Sequence, residues 1–292
     1  MAKVFLNDRL IEEADAVVPA NDGGLLYGSG LFETMRVCNG RVFMLDDHLD
    51  RLFSSAAKLG IELGLDRSFL AGAIDQVLLA NNLRDARCRL TVTSGPISGD
   101  ECQRRPTVLI AATALDTYPQ QYYQKGIKVI LCPYRQDPSD PLAGHKSTSY
   151  LARMLALRLA HQAGAAEALW FTPDGSLAEG CVSNVFLVNA GRLLTPPLST
   201  PVLPGIARKV VARVAVDQQI ELIERRLTID DLLAAQEIFL TNVIMRVMPV
   251  IAIERHTVAD GKVGPLTRQI LGGFDKVIEG YCGRGDEGSA DS

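Results

Sequence analysis

Lys146 and Glu179 are the residues in this sequence whose types and settings best suit covalent and acid–base chemistry. Lys146 follows a loop rich in Pro and Asp and precedes three hydroxyl residues, 147–149, which can cap a following helix. Apolar residues from Leu151 to Leu159 keep the spacing of one helix face. We therefore expect the amine of Lys146 at the entrance of a helix rather than on its solvated side.

Glu179 lies in a stretch whose pattern predicts a β-hairpin. Residues 168–171 form a short apolar run, a Pro-Asp-Gly turn follows, and 185–188 form the returning apolar run. Ser183 and Asn184 directly precede that second strand. The pattern therefore places Glu179, with Ser183 and Asn184, at the entrance of the returning strand.

A third element could bind an anion. The sequence Gly205-Ile206-Ala207 follows a proline and opens a predicted helix, whose free backbone N–H groups favour a phosphate, although an ordinary helix start is the alternative. A lysine, a separate carboxylate and such anion sites are what pyridoxal phosphate requires. The lysine forms a Schiff base, the carboxylate keeps the ring nitrogen protonated, and helix N-termini with an arginine hold the phosphate. The sequence therefore predicts pyridoxal phosphate as cofactor.

Composition limits the classes of function. The chain has 292 residues, of which 47% are hydrophobic, enough for two α/β lobes with filled cores. Its formal net charge of -4 and dispersed Lys and Arg residues offer no basic face for nucleic acid or an anionic membrane. The first residues lack an apolar leader and no later run is long enough to span a bilayer. We expect a cytoplasmic enzyme with a small-molecule amino substrate.

Cysteine and histidine spacing gives no sign of a metal site. The four histidines form no H-E-x-x-H motif, and the six cysteines are far apart with no C-x-x-C. Neither a metal site nor a disulfide framework is expected, and the thiols are predicted to be reduced and buried. The cysteines are Cys38, Cys88, Cys102, Cys132, Cys181 and Cys282.

The order of predicted elements indicates an α/β (α+β) protein with two lobes. An N-terminal α/β lobe, 1–132, begins with antiparallel hairpins around Asn-Asp and Asn-Gly turns. Prolines and glycines mark an interdomain linker at 133–145, and alternating strands and helices fill a cofactor-binding lobe at 146–282. The remaining residues, 283–292, are small, polar and acidic, so we expect a disordered tail.

Three arginines and a glycine-rich segment are further candidates. Residues 23–30 either border a pocket or form a plain connection, and they lack the context of a dinucleotide-binding motif. Arg87 and Arg89 share one face of a predicted strand, where they either bind a substrate carboxylate or form an exposed charged edge. Arg51 lies on an amphipathic helix and, considered by itself, is a solvated side chain.

Several ordered motifs make the chain resemble the fold-type IV pyridoxal-phosphate enzymes. These motifs run from Tyr-Gly-Ser-Gly-Leu-Phe-Glu at 27–33 to Thr241-Asn242 and the Met-Pro-Val at 248–250, covering all but the tail. The family includes branched-chain aminotransferases, D-amino-acid aminotransferases and 4-amino-4-deoxychorismate lyases. The resemblance implies a small N-terminal lobe, a larger C-terminal lobe with a mixed β-barrel-like core, and a homodimer.

The resemblance also implies roles for particular residues. Lys146 would form the Schiff base, Glu179 would bind the ring nitrogen, and Arg51 in the His-Leu-Asp-Arg-Leu motif would contact the phosphate. Ala207 departs from the Thr or Ser of many relatives, which removes a hydroxyl contact but keeps the backbone donor. The other implied cofactor contacts are Ser183, Asn184, Gly205, Ile206, Ala207, Thr241 and Asn242.

The reaction depends on fewer residues. The Phe-Glu-Thr sequence ending at Thr34 is similar to the lyases, in which that threonine is a proton donor beside the cofactor. A lyase would convert aminodeoxychorismate to 4-aminobenzoate and pyruvate without a second substrate. The alternative is an aminotransferase, in which Arg87, Arg89 and Tyr27 bind the substrate carboxylate and a 2-oxo acid receives the amino group. The sequence favours the lyase slightly over the aminotransferase. A binding protein without catalysis would lack Lys146 or its carboxylate partner, and both are present.

Overall fold

The computed structural model describes residues 1–97 and 105–283, which fall into two compact units. The first unit contains the described residues of Met1–Asp116, His145–Tyr150 and 280–283. The second contains Thr117–Gly144 and Leu151–Glu279. Within the described residues, no helix is both long enough and apolar enough to cross a membrane.

The first unit is built on a six-stranded antiparallel sheet with the strand order β2-β1-β6-β5-β3-β4. Its predicted hairpins are confirmed, and Asn39 and Gly40 both have the positive φ (49° and 77°) that the second turn requires. The strands are β1 Lys3–Leu6, β2 Arg9–Glu12, β3 Gly30–Cys38, β4 Arg41–Val42, β5 Ala86–Thr93 and β6 Val108–Ala114.

Two helices, α2 Leu45–Lys58 and α3 Arg67–Ala80, cover one face of this sheet and form the core with it. A shorter helix, α1 Gly23–Tyr27, precedes β3. Alternate residues of β3, such as Met35, are fully buried beneath Leu49 of α2 and Ile74 of α3. The glycine-rich segment forms the short helix α1 instead of a loop, because the Asp22 carboxylate accepts the backbone N–H of Gly24 and caps it.

The second unit contains a nine-stranded mixed sheet with the order β12-β11-β10-β13-β14-β7-β8-β9, and β15 pairs with β14. Its β14-β7, β7-β8 and β11-β12 pairs are parallel, and its other pairs are antiparallel. The strands are β7 Ile127–Arg135, β8 Glu167–Phe171, β9 Leu177–Gly180, β10 Asn184–Asn189, β11 Arg192–Thr195, β12 Leu222–Glu224, β13 Glu237–Asn242, β14 Arg246–Ile253 and β15 His256–Thr257. The helices that follow Asp116 are α4 Gln120–Lys125, α5 Leu151–Gln162, α6 Ile206–Asp217, α7 Ile229–Leu233 and α8 Pro265–Cys282.

The predicted linker overlaps one of these strands. Pro133 lies within β7, between Leu131 and Arg135, where the register of the β7-β8 pair shifts. A bulge is one of the few places where a strand accepts proline, because no ladder hydrogen bond is lost there. The predicted lobes and their boundaries stay a prediction, and the tail from 284 to 292 lies outside the described residues.

One cysteine pair corrects the expectation of reduced thiols. Cys38, at the end of β3, and Cys282, at the end of α8, form a disulfide with their Cα atoms 5.7 Å apart. The Tyr281 ring also packs edge-on against Phe43, which brings the end of α8 to the β3-β4 hairpin. The two cysteines are 244 residues apart, so their spacing could not reveal the pair. Cys102 lies outside the described residues. Three described cysteines outside this disulfide are buried: Cys88, Cys132 and Cys181.

Candidate active site

Lys146 is held by strand pairing, not by a helix. The Phe32 N–H donates to the Lys146 carbonyl, and the Thr148 N–H donates to the Gly30 carbonyl, both at 2.9 Å. Strand β4 pairs only with the C-terminal end of β3. The edge of β3 at Gly30–Phe32 is therefore available to pair with the segment around Lys146. Helix α5 begins only at Leu151. The predicted position of Lys146 at a helix entrance is therefore wrong. The two backbone hydrogen bonds, one at Lys146 and one at Thr148, hold this segment against β3.

The Phe32 ring is the centre of a cationic cluster in the first unit. Lys146 Nζ lies 4.5 Å from the ring centre and Arg89 Cζ lies 3.8 Å from it. The Tyr150 ring packs edge-on against Phe32 at 5.3 Å. Burial, and to a lesser extent the charge of Arg87, lower the pKa of Arg89. The cluster therefore combines an amine and a guanidinium that an aromatic ring partly shields from water.

Other predicted substrate contacts lie on the same sheet face. Thr34 is directly opposite Arg89 in the β3-β5 ladder, so both side chains point to one side. Arg87 lies on this face as well, but its side chain is exposed. Tyr27 ends α1 and is 70% exposed. Thus Thr34 and Arg89 lie together, whereas the Tyr27 side chain is mostly exposed.

The opposite face of β3 carries a buried ionic cluster. Arg51 Nε and Nη2 donate to the two carboxylate oxygens of Glu33 at 2.8 and 2.5 Å, and His48 Nδ1 lies 2.7 Å from Oε2. Burial alone raises the pKa of Glu33, but the charge of Arg51 and the hydrogen bonds from both partners outweigh it and lower the pKa to about 2. Burial lowers the pKa of His48, so its imidazole is neutral near pH 7 and donates from Nδ1. Arg51, the predicted phosphate contact, is therefore fixed by a carboxylate that the sequence did not single out.

In the second unit, Glu179 lies within β9 and is 3% exposed. The predicted hairpin is corrected, because β9 returns next to β8 and the strand at 184–189 belongs to the other end of the sheet. Glu179 Oε2 accepts from Asn184 Nδ2 at 3.2 Å and from the Leu203 N–H at 2.9 Å. Its Oε1 accepts from Arg153 Nη2 at 2.6 Å. The predicted neighbours Glu179 and Asn184 are thus in direct contact.

The turn between β9 and β10 is organised by a second buried carboxylate. Glu167 accepts hydrogen bonds from the backbone of Cys181 (3.0 Å) and Val182 (3.3 Å) and from Ser183 Oγ (3.0 Å). Burial raises the pKa of Glu167, and these three hydrogen bonds, with a fourth from the Ala168 N–H, offset part of the effect. The Ser183 hydroxyl is therefore engaged in shaping the turn. The sequence did carry a signal for Glu167 and for Glu33. Each is a glutamate within an apolar strand, and a buried carboxylate requires hydrogen-bonding partners.

The start of α6 provides backbone donors for an anion. Gly205 is its N-cap and has no side-chain cap, and the buried residues Ile206 and Ala207 form the first turn. A Cβ at Gly205 would come within 2.0 Å of Asn184 Oδ1, so only glycine allows this approach. The helix has 12 residues, long enough for its N-terminus to favour an anion.

Two further predicted contacts have their side chains committed elsewhere. The Thr241 hydroxyl donates to the Arg246 carbonyl at 2.6 Å. Asn242 accepts from the Ile244 and Met245 N–H groups and donates to the Val182 carbonyl, closing the turn before β14. Their roles toward a cofactor stay predictions, because these side chains stabilise the turn.

The residues present fit pyridoxal phosphate, each within its own unit. Lys146 supplies an amine beside an aromatic ring, and Arg51 supplies a fixed guanidinium. A carboxylate has about four acceptor positions, and the three hydrogen bonds to Glu179 leave one on Oε1 for a ring N–H. The α6 N-terminus offers donors of the kind that bind phosphate.

The sequence from 30 to 253 matches the family model described as amino-transferase class IV. A putative branched-chain-amino-acid aminotransferase of Methanocaldococcus jannaschii is 36% identical over 280 residues, covering 94% of this chain and 96% of that protein. The D-alanine aminotransferase of Staphylococcus epidermidis is 30% identical over 284 residues, covering 96% and 99%. The crystal structure of the Escherichia coli branched-chain amino acid aminotransferase has a TM-score of 0.89 at 27% identity, covering 94% of each chain.

The matched region includes parts of both units of the chain and every predicted cofactor contact. It extends from the start of β3 through the end of β14. The similarity covers nearly the full length of the relatives as well as of this chain. The chain therefore belongs to the class IV aminotransferases, pyridoxal-phosphate enzymes of fold type IV.

Proposed function

We propose that this protein is an amino-acid aminotransferase of the branched-chain or D-amino-acid type, which transfers an amino group to a 2-oxo acid. Its relatives named above support this reaction over the lyase that the sequence favoured. The observation that carries the proposal is the setting of Arg89. Among residues 1–97 and 105–283, no carboxylate pairs with this half-buried guanidinium.

Arg89 is placed to bind a substrate carboxylate. Its guanidinium stacks on Phe32, and Lys146 Nζ approaches the same ring. One amino acid could therefore present its amino group to Lys146 and its carboxylate to Arg89. Burial of Arg89 disfavours its charged form. A carboxylate partner would offset the free-energy cost of this desolvation. Arginine gives such a partner two parallel hydrogen bonds and so fixes its orientation.

The other candidate residues would bind the cofactor and move the proton. Pyridoxal phosphate, when bound, supplies the carbonyl that receives the amino group and a ring that withdraws electrons. Lys146 Nζ would hold the cofactor and would act as the base that moves the proton at the substrate carbon. Glu179 Oε1 accepts the hydrogen bond from the ring nitrogen. Arg51 is one candidate to bind the phosphate, and the backbone N–H groups that start α6 are another.

A second candidate, aminodeoxychorismate lyase, rests on Thr34. This hydroxyl lies opposite Arg89 on one sheet face, so it could donate a proton to a substrate that Arg89 holds. In the lyase reaction, Lys146 would take the proton from the substrate carbon that bears the amine, and pyruvate would leave from the neighbouring carbon. No 2-oxo acid is needed.

Single-turnover spectroscopy without a 2-oxo acid separates the two candidates. The holoenzyme is mixed in turn with L-leucine, D-alanine, L-glutamate, D-glutamate and aminodeoxychorismate. We expect an amino acid to convert the bound cofactor to pyridoxamine phosphate and to release its 2-oxo acid, and the reacting amino acid then gives handedness and side-chain class. Release of 4-aminobenzoate with an unchanged cofactor spectrum, and no reaction of any amino acid, would contradict the proposal.

The role of Arg89 is tested with a matched pair of variants. Arg89→Met removes the carboxylate partner, and we expect KM for the amino acid to rise about 30-fold or more, the loss of a charge-assisted hydrogen bond worth ~2 kcal/mol. Arg87→Met removes an exposed charge from the same sheet face and should leave KM near the wild-type value. Equal KM values for both variants would show that another group binds the carboxylate. A homodimer and a cytoplasmic location stay predictions.

A further inference from the structure

Arg153 forms an ion pair with the carboxylate that is assigned to the cofactor ring. It lies in the first turn of α5, and its Nη2 is 2.6 Å from Glu179 Oε1. Its Nη1 donates to the carbonyls of Gly180 at 3.0 Å and Cys181 at 3.3 Å. These contacts hold the guanidinium in one orientation at the end of β9.

A further contact shields this ion pair on one side. The Arg153 guanidinium lies 5.7 Å from the centre of the Trp170 ring, within the range of a cation–π interaction. The side chains of Arg153 and Glu179 are 21% and 4% exposed. Water therefore screens part of the positive charge but little of the negative charge.

The hydrogen bonds of Glu179 direct the cofactor to the oxygen that Arg153 already contacts. Oε2 is occupied by Asn184 and by the Leu203 N–H, whereas Oε1 has one acceptor position left. A ring N–H would therefore share Oε1 with the guanidinium. The ring nitrogen would face a neutral ion pair in place of an isolated negative charge.

We propose that Arg153 weakens the hold of Glu179 on a proton at the ring nitrogen of bound pyridoxal phosphate, and so limits how strongly the ring withdraws electrons. This inference rests on the function proposed above. A nearby positive charge disfavours protonation of a base, and a nearby negative charge favours it. Arg153 is a positioning residue, because it acts on the ring nitrogen through Glu179 and through the electrostatic field of the Arg153–Glu179 ion pair.

This arrangement bears on the choice between reactions. Strong electron withdrawal stabilises negative charge on the substrate carbon and prolongs its lifetime, which favours loss of a leaving group from the neighbouring carbon. Weaker withdrawal favours prompt return of the proton by Lys146. The Arg153–Glu179 pair therefore suits transfer of an amino group better than elimination.

The test measures protonation of the ring directly. Wild-type and variant holoenzymes are loaded with pyridoxal phosphate labelled with 15N in the ring, and the nitrogen resonance is followed against pH. Arg153→Gln removes the charge and keeps a donor for the Gly180 carbonyl, Arg153→Met removes both, and Arg153→Lys keeps the charge. Arg158→Gln removes an exposed charge from the same helix as the matched control.

We expect the pKa of the ring nitrogen to rise by about one unit in both neutral variants, and to stay near the wild-type value in Arg153→Lys and Arg158→Gln. A wild-type titration in Arg153→Gln would overturn the inference, and so would a rise in Arg153→Lys equal to that in the neutral variants, which would mean that geometry and not charge is responsible. A wild-type protein that binds no labelled cofactor would overturn the proposed function together with the inference. Binding with unchanged titrations would overturn the inference alone.

Discussion

Glu33→Gln tests the buried ionic cluster behind the candidate active site. The glutamine keeps the shape of the side chain but cannot neutralise Arg51, whose guanidinium donates twice to Glu33. Removing one member of a buried ion pair leaves the other uncompensated, which typically costs about 3–5 kcal/mol. We therefore expect Glu33→Gln to lower the free energy of unfolding strongly at pH 7.

The pKa of Glu33 gives an independent magnitude and a pH window. Its value falls from 4.5 to about 2 on folding, which corresponds to ~3 kcal/mol. Because the folded-state pKa is the lower one, this contribution is present above pH 4.5 and is lost as the pH falls toward 2. The lowered pKa of His48 adds a loss of stability below pH 6.5 in wild type, since the unfolded imidazole binds a proton more readily.

The assay is urea and thermal unfolding of the holoenzyme from neutral to acid pH. We expect the difference between wild type and Glu33→Gln to be ~3 kcal/mol at pH 7, or roughly 6–12 °C in Tm, and to shrink below pH 4.5. Glu62→Gln, an exposed position in the same unit, should match wild type throughout. A difference that stays constant from pH 7 to acid, or an unfolding midpoint equal to that of Glu62→Gln, would refute the assigned charge of Glu33.

Two further predictions concern covalent and steric constraints. Cys282→Ser removes the disulfide to Cys38, which spans 244 residues, so we expect the free energy of unfolding to fall by up to ~5 kcal/mol. Reductant should lower the urea midpoint of the wild type but not that of the variant. A wild type that is insensitive to reductant would show that the bond adds no stability. Gly205→Ala places a Cβ against Asn184 Oδ1, so we expect pyridoxal phosphate affinity to fall by about 10-fold or more, ~1.4 kcal/mol. Gly272→Ala meets nothing within 4 Å and should bind as wild type, and equal affinities for both alanine variants would contradict the steric argument.

Local patterns predicted most of the elements because their causes lie within a few residues. The Asn39-Gly40 turn formed as expected, since both residues accept the positive φ that a tight hairpin needs. The helix after Gly205 begins at Ile206 as predicted, because the apolar spacing and the glycine start are both local signals. Lys146 and Glu179 could also be proposed as site residues from the sequence, since they lie in ordered motifs, and their roles stay predictions.

Long-range pairing was the part that the sequence could not specify. The segment at Lys146 looked like the approach to a helix, but it pairs with β3, whose edge is left open by a short β4. Glu179 was expected beside the strand at 184–189, but β9 pairs with β8 instead. Several strands can compete for one edge, and only the packing of the whole sheet selects a partner.

The sequence by itself determined the family and the cofactor, because these depend on motifs that are contiguous in the chain, and it supplied candidate residues for the chemistry. Only the tertiary structure decided which charges meet. Arg51 could be a solvated side chain until Glu33 and His48 were found beside it, and Arg153 gave no signal until it reached Glu179. Ion pairs and disulfides form between residues far apart in sequence, so they exist only once the chain has folded and brought them within reach.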